Sequence, residues 1–341
     1  MYPYECTNGV RKDFLCGVVF SKRKKYFNLL KTTFMETTFK KYKHLVLNIP
    51  HSSTNIPAEF LPRWGFDGIV TDVRTKEEYL HVYHFNNIPN NTNRWTEYYF
   101  EQSKPLIDFY TDDLFNCDDS RITSIICNIC RTLCDVERMV NDPLEKEGYG
   151  IISKRMFKGK NSVPRVGLVN CSYKPDFLEL YEYYMTYQHD LSMVLLRNSH
   201  HTYQRYRRVL LLDCHSFSSS PTALCDPGIT GEQVDICIGY NDDATRPEKE
   251  IIDFVATYFE NLGYTVGHNT PFSNSKTVPC PLPYHSLMIE VNKRCYMNEL
   301  TLEKTKDFYT LQNNIRHLYD LLLDDGKNGV NSGWERVYNG Y

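Results

Sequence analysis

Three residues that suit metal-assisted hydrolysis, His51, His215 and Glu290, each follow or end an apolar run of the chain. A catalytic zinc ion usually takes three protein ligands, histidines and carboxylates, and keeps one position for water. The ion lowers the pKa of that water, and a nearby carboxylate accepts its proton. Two histidines and two carboxylates therefore suffice to cleave an amide bond. Taken singly, each residue also fits a core histidine, a loop histidine or a salt-bridge partner.

The third protein ligand of such a site is open between two aspartates. Asp108 and Asp112 are four positions apart in the sequence, and on a helix they would share one face. The same acidic segment also fits an ordinary helix start, because negative charge near a helix N-terminus is stabilised by the helix dipole. The residues alone leave both interpretations open.

Motifs of other enzyme classes are weak or missing. The sequence has no glycine-rich phosphate loop and no Gly-x-Ser-x-Gly nucleophile elbow. Cys127 and Cys130 form a single Cys-x-x-Cys in an apolar stretch, which favours buried structural thiols over a zinc site. Arg121 and Arg138 each offer a planar guanidinium that binds carboxylates, but such residues also form ordinary surface ion pairs.

The elements that must position these residues alternate between strands and helices. We predict strands at His44–Ile49, Arg208–Asp213, Val234–Gly239, Tyr264–His268 and Ser286–Glu290, and helices at Asp176–Asn198, Glu248–Leu262 and Leu300–Leu323. This order is typical of an α/β fold with a mixed, mainly parallel sheet flanked by helices. Sites in such sheets lie at the carboxyl ends of the strands, so we expect His51, His215 and Glu290 at one edge.

Composition and length set the domain organisation and exclude some functions. The 341 residues, 41% of them hydrophobic, predict an N-terminal extension at 1–42, one catalytic domain at 43–330 and a tail at 331–341. The net charge of −3 argues against a general nucleic-acid binder. No apolar run is long enough for a membrane span, and the first residues do not form a secretory signal, so we expect a cytoplasmic protein with reduced thiols and no membrane partner. The oligomeric state is left open.

Ordered blocks from about residue 44 to residue 300 resemble the N-formylglutamate amidohydrolase family. The blocks are Asn48-Ile-Pro-His51-Ser-Ser, Asp108-Phe-Tyr-Thr-Asp-Asp-Leu-Phe115, Ser120-Arg121, Cys134-Asp-Val-Glu-Arg138, Leu212-Asp-Cys-His-Ser-Phe217, Asp235-Ile-Cys-Ile-Gly239, Asn269-Thr-Pro-Phe272 and Met288-Ile-Glu-Val-Asn292. The resemblance implies an α/β fold like that of zinc carboxypeptidases and phosphorylase/hydrolase-like proteins. It also implies hydrolysis of a formyl or acyl amide on an acidic amino acid such as N-formylglutamate.

The resemblance assigns roles to individual residues as well. It implies a Zn²⁺ ion, or another divalent metal, on His51, His215 and Asp108, with Asp112 as the rival third ligand. Glu290 matches the general base of the family. The residues implied to contact the substrate are Arg121, Arg138 and Asn269.

The chain departs from the family pattern in two loops, Ser273–Ser275 and Asp242–Pro247, where substrate selectivity would be set. One alternative is therefore a carboxypeptidase or a γ-glutamyl-type peptidase on the same fold. A second alternative, from another class, is a binding or regulatory protein that has kept the fold and lost the chemistry. For the enzyme, we expect a small molecule or short peptide that carries a carboxylate as the substrate.

Overall fold

The computed structural model describes residues 39–55, 66–67, 84–85, 106–147, 150–152, 174–200, 208–219 and 233–324. The predicted N-terminal extension up to residue 38 and the predicted tail at 331–341 lie outside the described residues. The boundaries of the catalytic domain stay predictions.

The described residues form one main sheet and two small two-stranded sheets. The strands are β1 (His44–Ile49), β2 (Phe66–Asp67), β3 (His84–Phe85), β4 (Ile122–Ile126), β5 (Val209–Phe217), β6 (Ile236–Gly239), β7 (Val266–His268), β8 (His285–Asn292), β9 (Met297–Asn298) and β10 (Glu303–Lys304). The main sheet has six strands in the order β4-β1-β5-β8-β6-β7, while β2 pairs with β3 and β9 with β10. Strands β4, β1, β5 and β8 run parallel, and β6 is antiparallel to β8. The predicted mixed, mainly parallel sheet is confirmed.

Helices flank this sheet. They are α1 (Thr111–Phe115), α2 (Lys174–Ser199), α3 (Lys249–Asn261) and α4 (Phe308–Leu322), with short 3-10 helices at Pro143–Glu147 and Lys293–Cys295. Helix α2 contacts the sheet through Tyr187, which donates a hydrogen bond to Asn48 of β1. Helices α3 and α4 contact each other through the bond from Tyr258 to the Asn314 carbonyl. Within the described residues, no helix is long and apolar enough to cross a membrane.

Strands β1 and β5 are buried along their whole length, which explains their composition. Every residue of β1 and β5 is buried, so both carry apolar side chains toward both faces of the sheet. Strand β1 stops before Pro50, which has no N–H group for the ladder. The loop that starts at His51 follows directly.

Two strands are longer than the sequence predicts. Strand β5 continues four residues beyond Asp213, to Phe217, and β8 continues two beyond Glu290, to Asn292. The two strands pair from Leu210 to Phe217, and this ladder holds polar residues that would otherwise favour a loop. His215 and Glu290 therefore lie inside strands, and the prediction that they stand after a strand or at its end is wrong.

The C-terminal helix is shorter than predicted. It begins at Phe308 rather than Leu300. The Asn298 side chain accepts hydrogen bonds from the N–H groups of Leu300 and Thr301, and Leu302 has a left-handed backbone with φ of 55°. This turn returns the chain to β10 before the helix starts, because a left-handed residue cannot continue an α-helix.

Candidate metal centre

Three buried side chains bring their donor atoms together near the carboxyl ends of β1 and β5. Asp108 Oδ2 lies 3.2 Å from His215 Nδ1 and 3.7 Å from His51 Nδ1. One ligand atom from each of the three residues can be chosen so that all lie within 4.8 Å of one another. A tetrahedral zinc ion with bonds of about 2.0–2.1 Å holds its donors roughly 3.3 Å apart, close to these spacings. The three residues therefore form a candidate metal centre.

The outward nitrogen of each histidine is held by a carboxylate. His51 Nε2 donates to Asp135 Oδ1 over 2.8 Å, and His215 Nε2 donates to Asp213 Oδ1 over 2.9 Å. Because a carboxylate only accepts, each neutral ring carries its proton on Nε2 and turns the Nδ1 lone pair toward Asp108. Metal-binding histidines are commonly oriented in this way. The buried Nδ1 of His51 has no hydrogen-bond partner within the described residues, which fits a nitrogen that binds a metal.

Both orienting carboxylates are held in the ionised form. Burial acts to raise the pKa of Asp135, but the charge of Arg131 and the contact with His51 hold it well below its usual value. Burial also acts to raise the pKa of Asp213, and the charge and hydrogen bond of His215 lower it. Both groups therefore accept hydrogen bonds at neutral pH.

The cluster attracts a positive charge. Burial acts to lower the pKa of His215, yet the charge of Asp213 and the hydrogen bond to Asp108 raise it well above its usual value. Burial acts to raise the pKa of Asp108, but the hydrogen bond from His215 and the charge of His51 lower it overall. A proton or a divalent cation can supply the charge that these groups favour. Since both compete for His215 Nδ1, metal affinity is expected to rise with pH.

Asp108 is placed by its backbone and not by a helix. Helix α1 begins only at Thr111, so Asp108 lies outside it and the two aspartates do not share a helix face. The Asp108 N–H donates to the His51 carbonyl over 2.9 Å, and Thr111 Oγ1 donates to the Asp108 carbonyl over 2.8 Å. Asp112 is only half-buried and belongs to none of the candidate metal groups formed by the described residues. The geometry favours Asp108 as the third ligand.

Glu290 lies beside His215 in the next strand of the sheet. The two residues are paired across β5 and β8, and Cys237 of β6 pairs with Glu290 on its other side. Glu290 Oε2 is buried and has no hydrogen-bond partner in the described part of the chain. Burial raises the pKa of Glu290 to about 8, with His215 acting against this shift and Asp108 adding to it. A carboxyl group with such a pKa beside a candidate metal suits proton transfer.

A second group of possible ligands overlaps the first but is already engaged. It consists of Glu137, Asp213 and His215. Asn48 Nδ2 donates to Glu137 Oε1 over 2.6 Å and to Asp213 Oδ1 over 2.8 Å, and the Lys276 N–H donates to Asp213 Oδ2 over 2.8 Å. These donors satisfy the carboxylates without a metal, so this group is a hydrogen-bond network.

Two cations near the cluster carry no signal in the sequence. Arg131 donates from Nη2 to Asp135 Oδ2 over 3.0 Å and from Nη1 to the Leu106 carbonyl over 3.1 Å. Lys293 is 1% exposed. Burial lowers its pKa, and the charge of Asp108 opposes that shift. No local pattern distinguishes either residue from a surface cation, so only the fold identifies them.

The sequence predicts the proximity of one orienting carboxylate to its histidine, but not that of the other. Asp213 stands two positions before His215, and alternation along a strand places such residues on one face. This signal was available once the strand was known to continue. Asp135 is 84 positions from His51, and no local pattern connects them.

Of the arginines implied to contact the substrate, the structure brings one near the cluster. Arg138 Nε lies 3.5 Å from Asp135 Oδ2, and the Arg138 side chain is 30% exposed. Arg121 instead precedes β4, where its carbonyl accepts from Leu45 at the beginning of β1. That is the opposite edge of the sheet from His51. There the Arg121 guanidinium binds both carboxylate oxygens of Asp119.

The Asn269 side chain, also implied to contact the substrate, is bonded to backbone groups. The Asn269 side chain accepts from the N–H groups of Tyr240 and Asn274 and donates to the Tyr240 carbonyl. Its amide therefore holds a turn and is engaged with backbone groups.

The sheet and its buried His–Asp–His cluster define an α/β protein with a candidate metal centre of the hydrolase type. The sequence model of the N-formylglutamate amidohydrolase family matches residues 84–297, which is more than half of the chain. The chain therefore belongs to the N-formylglutamate amidohydrolase family.

Two solved structures are similar to this chain, and the first of them shares its fold. The crystal structure of N-formylglutamate amidohydrolase from Ralstonia eutropha JMP134 has a TM-score of 0.57 and 21% identity, covering 83% of this chain and 93% of that chain. The structure of gene product Atu2144 from Agrobacterium tumefaciens has a TM-score of 0.44 and 14% identity, covering 83% of this chain and 90% of that one. Only the first is similar enough to support the fold. A comparison with curated protein sequences finds no match.

The choice of third ligand can be tested by replacing each aspartate. Asp108→Asn is expected to weaken Zn²⁺ binding more than about 100-fold, since loss of an outer partner of a ligand alone costs about 10–100-fold. Asp112→Asn should change the affinity less than about threefold. Competition with a chromophoric chelator measures both constants. A weaker site in Asp112→Asn than in Asp108→Asn would reverse the assignment.

The raised pKa of Glu290 predicts a pH-dependent stability in chelator-treated protein. Its folded-state pKa of about 8 exceeds the ordinary value of 4.5, so the stabilising contribution is complete below the ordinary value and is lost as pH rises toward 8. Glu290→Gln does not titrate. Its free energy of unfolding relative to wild type should therefore increase from pH 5 to pH 8, with a slope of at most roughly 1.4 kcal/mol per pH unit.

Urea denaturation at several pH values measures this difference. Glu260→Gln, an exposed glutamate of α3, is the control and should track wild type throughout. Parallel curves for Glu290→Gln and wild type would show that the Glu290 pKa is not raised.

Proposed function

We propose that this protein is a metal-dependent amidohydrolase that cleaves the amide bond of an N-formyl or N-acyl acidic amino acid such as N-formylglutamate. One observation carries the proposal: His51 Nδ1, His215 Nδ1 and Asp108 Oδ2 converge, and the buried Glu290 is the cross-strand neighbour of His215. Membership of the N-formylglutamate amidohydrolase family supports the same reaction class.

The ligands would be His51, Asp108 and His215, and the metal that suits this donor set is Zn²⁺. Such an ion supplies a Lewis acid that acidifies water and polarises a carbonyl group. Glu290 accepts a proton from the attacking water and later delivers it to the leaving nitrogen. With N-formylglutamate, one water is consumed, the C–N bond breaks, and formate and glutamate are released.

The orienting carboxylates make this arrangement rigid. Asp135 and Asp213 fix the rings of His51 and His215 through single hydrogen bonds of 2.8 Å and 2.9 Å. Ligands that are held in place before the metal binds lose less freedom on binding. Because β8 pairs with β5, Glu290 is also held at a fixed place beside His215, which is what general-base catalysis needs.

The surroundings of the cluster favour an anionic substrate. Arg138 is 30% exposed and Arg131 is 20% exposed, and both approach Asp135 with one side of the guanidinium. The remaining N–H groups of Arg138 offer the planar geometry that binds carboxylates, whereas Arg131 also donates from Nη1 to the Leu106 carbonyl. Lys293, buried nearby, adds positive charge to the same region. We assign the substrate carboxylate to Arg138, with Arg131 as a second candidate.

Activity and metal content of the purified full-length protein test the proposal together. Elemental analysis should find about one divalent metal per chain, and formate release from N-formylglutamate should require it. Glu290→Gln should retain the metal and lose about 10²–10⁴-fold in kcat, since a general base contributes that much. Glu260→Gln on α3 is the control and should keep wild-type activity.

A substrate panel separates the proposed function from its alternatives. Faster turnover of γ-glutamyl dipeptides or of peptides with a C-terminal glutamate would replace the formyl substrate by a peptide. A protein that contains no metal after expression and dialysis against Zn²⁺, and hydrolyses none of these compounds, would be a binding protein on this fold.

The substrate-binding assignment makes a paired prediction for the two arginines. Arg138→Gln should raise KM for N-formylglutamate by about 10–100-fold, because a hydrogen bond to a charged group contributes roughly 1.5–3 kcal/mol. Arg121→Gln, at the opposite edge of the sheet, should leave KM and kcat unchanged. Steady-state kinetics of both variants decide the matter, and an effect confined to Arg121→Gln would move the substrate site to the other edge.

A further inference from the structure

A loop crosses the face of the sheet on which Asp213 and His215 lie, beside the candidate metal centre. This crossing loop, residues 269–278, leaves β7 and reaches β5, two strands beyond its neighbour β6. Its Phe272 ring lies 5.5 Å from that of Phe217 at the end of β5. The loop runs so close to the sheet that a side chain at Gly239 would come within 2.2 Å of the Asn274 carbonyl oxygen. Its position is therefore fixed by close backbone contact.

Lys276 of the crossing loop touches both segments that orient the histidines. Its N–H donates to Asp213 Oδ2 over 2.8 Å, and Asp213 is the carboxylate that holds His215. Its Nζ donates to the Val136 carbonyl over 3.1 Å. Val136 is the residue after Asp135, which holds His51. Lys276 thus connects the segment that orients His215, through its backbone, with the segment that orients His51, through its side chain.

The buried position of Lys276 holds a lysine where an apolar residue would be expected. Lys276 is only 8% exposed, and a buried ammonium group is costly unless it is compensated. An apolar side chain of similar length would fill the same space at lower cost, so packing alone does not account for a lysine here. The Val136 carbonyl also accepts from Gln188 Nε2 of α2 over 2.5 Å, which adds a second restraint at the same point.

We propose that Lys276 is a positioning residue that fixes the Asp135 segment relative to Asp213 and thereby sets the relative orientation of His51 and His215. The proposal rests on the proposed metal site. It adds that metal affinity and coordination geometry depend on a side chain that touches neither histidine. Because Lys276 acts through Asp135 and Asp213, its replacement is expected to change metal binding directly and substrate turnover only as a consequence.

The experiment compares Lys276→Met with wild type in the full-length protein. Methionine keeps the backbone N–H to Asp213 and much of the apolar stem, but it loses the ammonium donor to Val136. We expect a loss of about tenfold or more in Zn²⁺ affinity, the size found for outer partners of metal ligands, measured by chelator competition. The visible absorption spectrum of the Co²⁺-loaded protein should also change, because it reports coordination geometry.

A purely structural role predicts a different pattern. It would lower the melting temperature of the metal-free protein while leaving the Zn²⁺ affinity and the Co²⁺ spectrum as in wild type, and that result would overturn the proposal. Lys249→Met, an exposed lysine of α3 paired with Asp253, is the control and should match wild type in all three measurements.

Two further variants keep the test decisive if Lys276→Met does not fold. Lys276→Arg retains a long cationic donor and should stay within about threefold of the wild-type affinity, whereas the shorter, neutral Lys276→Gln should fall about tenfold. Equal affinities for these two variants would overturn the proposal. Wild-type protein that binds no metal would instead refute the proposed function, so the two failures are distinguishable.

Discussion

The candidate site depends on two hydrogen bonds, each between a buried histidine and a buried, ionised carboxylate. Asp135 holds His51 and Asp213 holds His215, and each bond decides which ring nitrogen is free. Without them, either tautomer of either ring would be available, and the two Nδ1 atoms would have no reason to face Asp108. Burial gives these bonds their strength, because little water competes with them.

Burying several carboxylates in one place has an electrostatic cost that shapes the surroundings. The cation Arg131 contacts Asp135 directly, and Lys293 lies buried near Asp108. Glu290 receives no such contact in the described part of the chain, and its pKa rises to about 8 as a result of burial. Ionising Glu290 is therefore costly in the absence of a nearby cation. A divalent ion bound by His51, Asp108 and His215 would lower this cost.

The two sides of the site differ in character. Toward β1 and β4 lie the charged groups, including Arg131 and Arg138, which suit a carboxylate. Toward β6 lies a small apolar cluster, separate from the main core, formed by Phe217, Cys237 and Met288. Glu290 stands between them, since Cys237 is its cross-strand neighbour.

The sequence by itself determined the features that depend on short stretches of the chain. The apolar runs of β1 and β8, the helical spacing of α3 and the left-handed glycine that ends it, Gly263 with φ of 92°, follow from short-range patterns. The types of His51, His215 and Glu290 and the family blocks around them pointed to a metal hydrolase. The choice between Asp108 and Asp112 was beyond reach, because it depends on a backbone turn and not on helical spacing.

Only the tertiary structure decided which distant residues meet. Strand β5 extends through His215 because β8 pairs with it, and that pairing puts Glu290 beside His215. Arg121 and Arg138 look alike in the sequence, yet the direction of β4 sends them to opposite edges of the sheet. Asp135 and Lys276 reach the cluster from segments far apart in the chain, through contacts that no local pattern encodes. Most of the secondary structure follows from neighbours along the chain, whereas the extension of β5 and the buried polar network follow from which strands lie side by side.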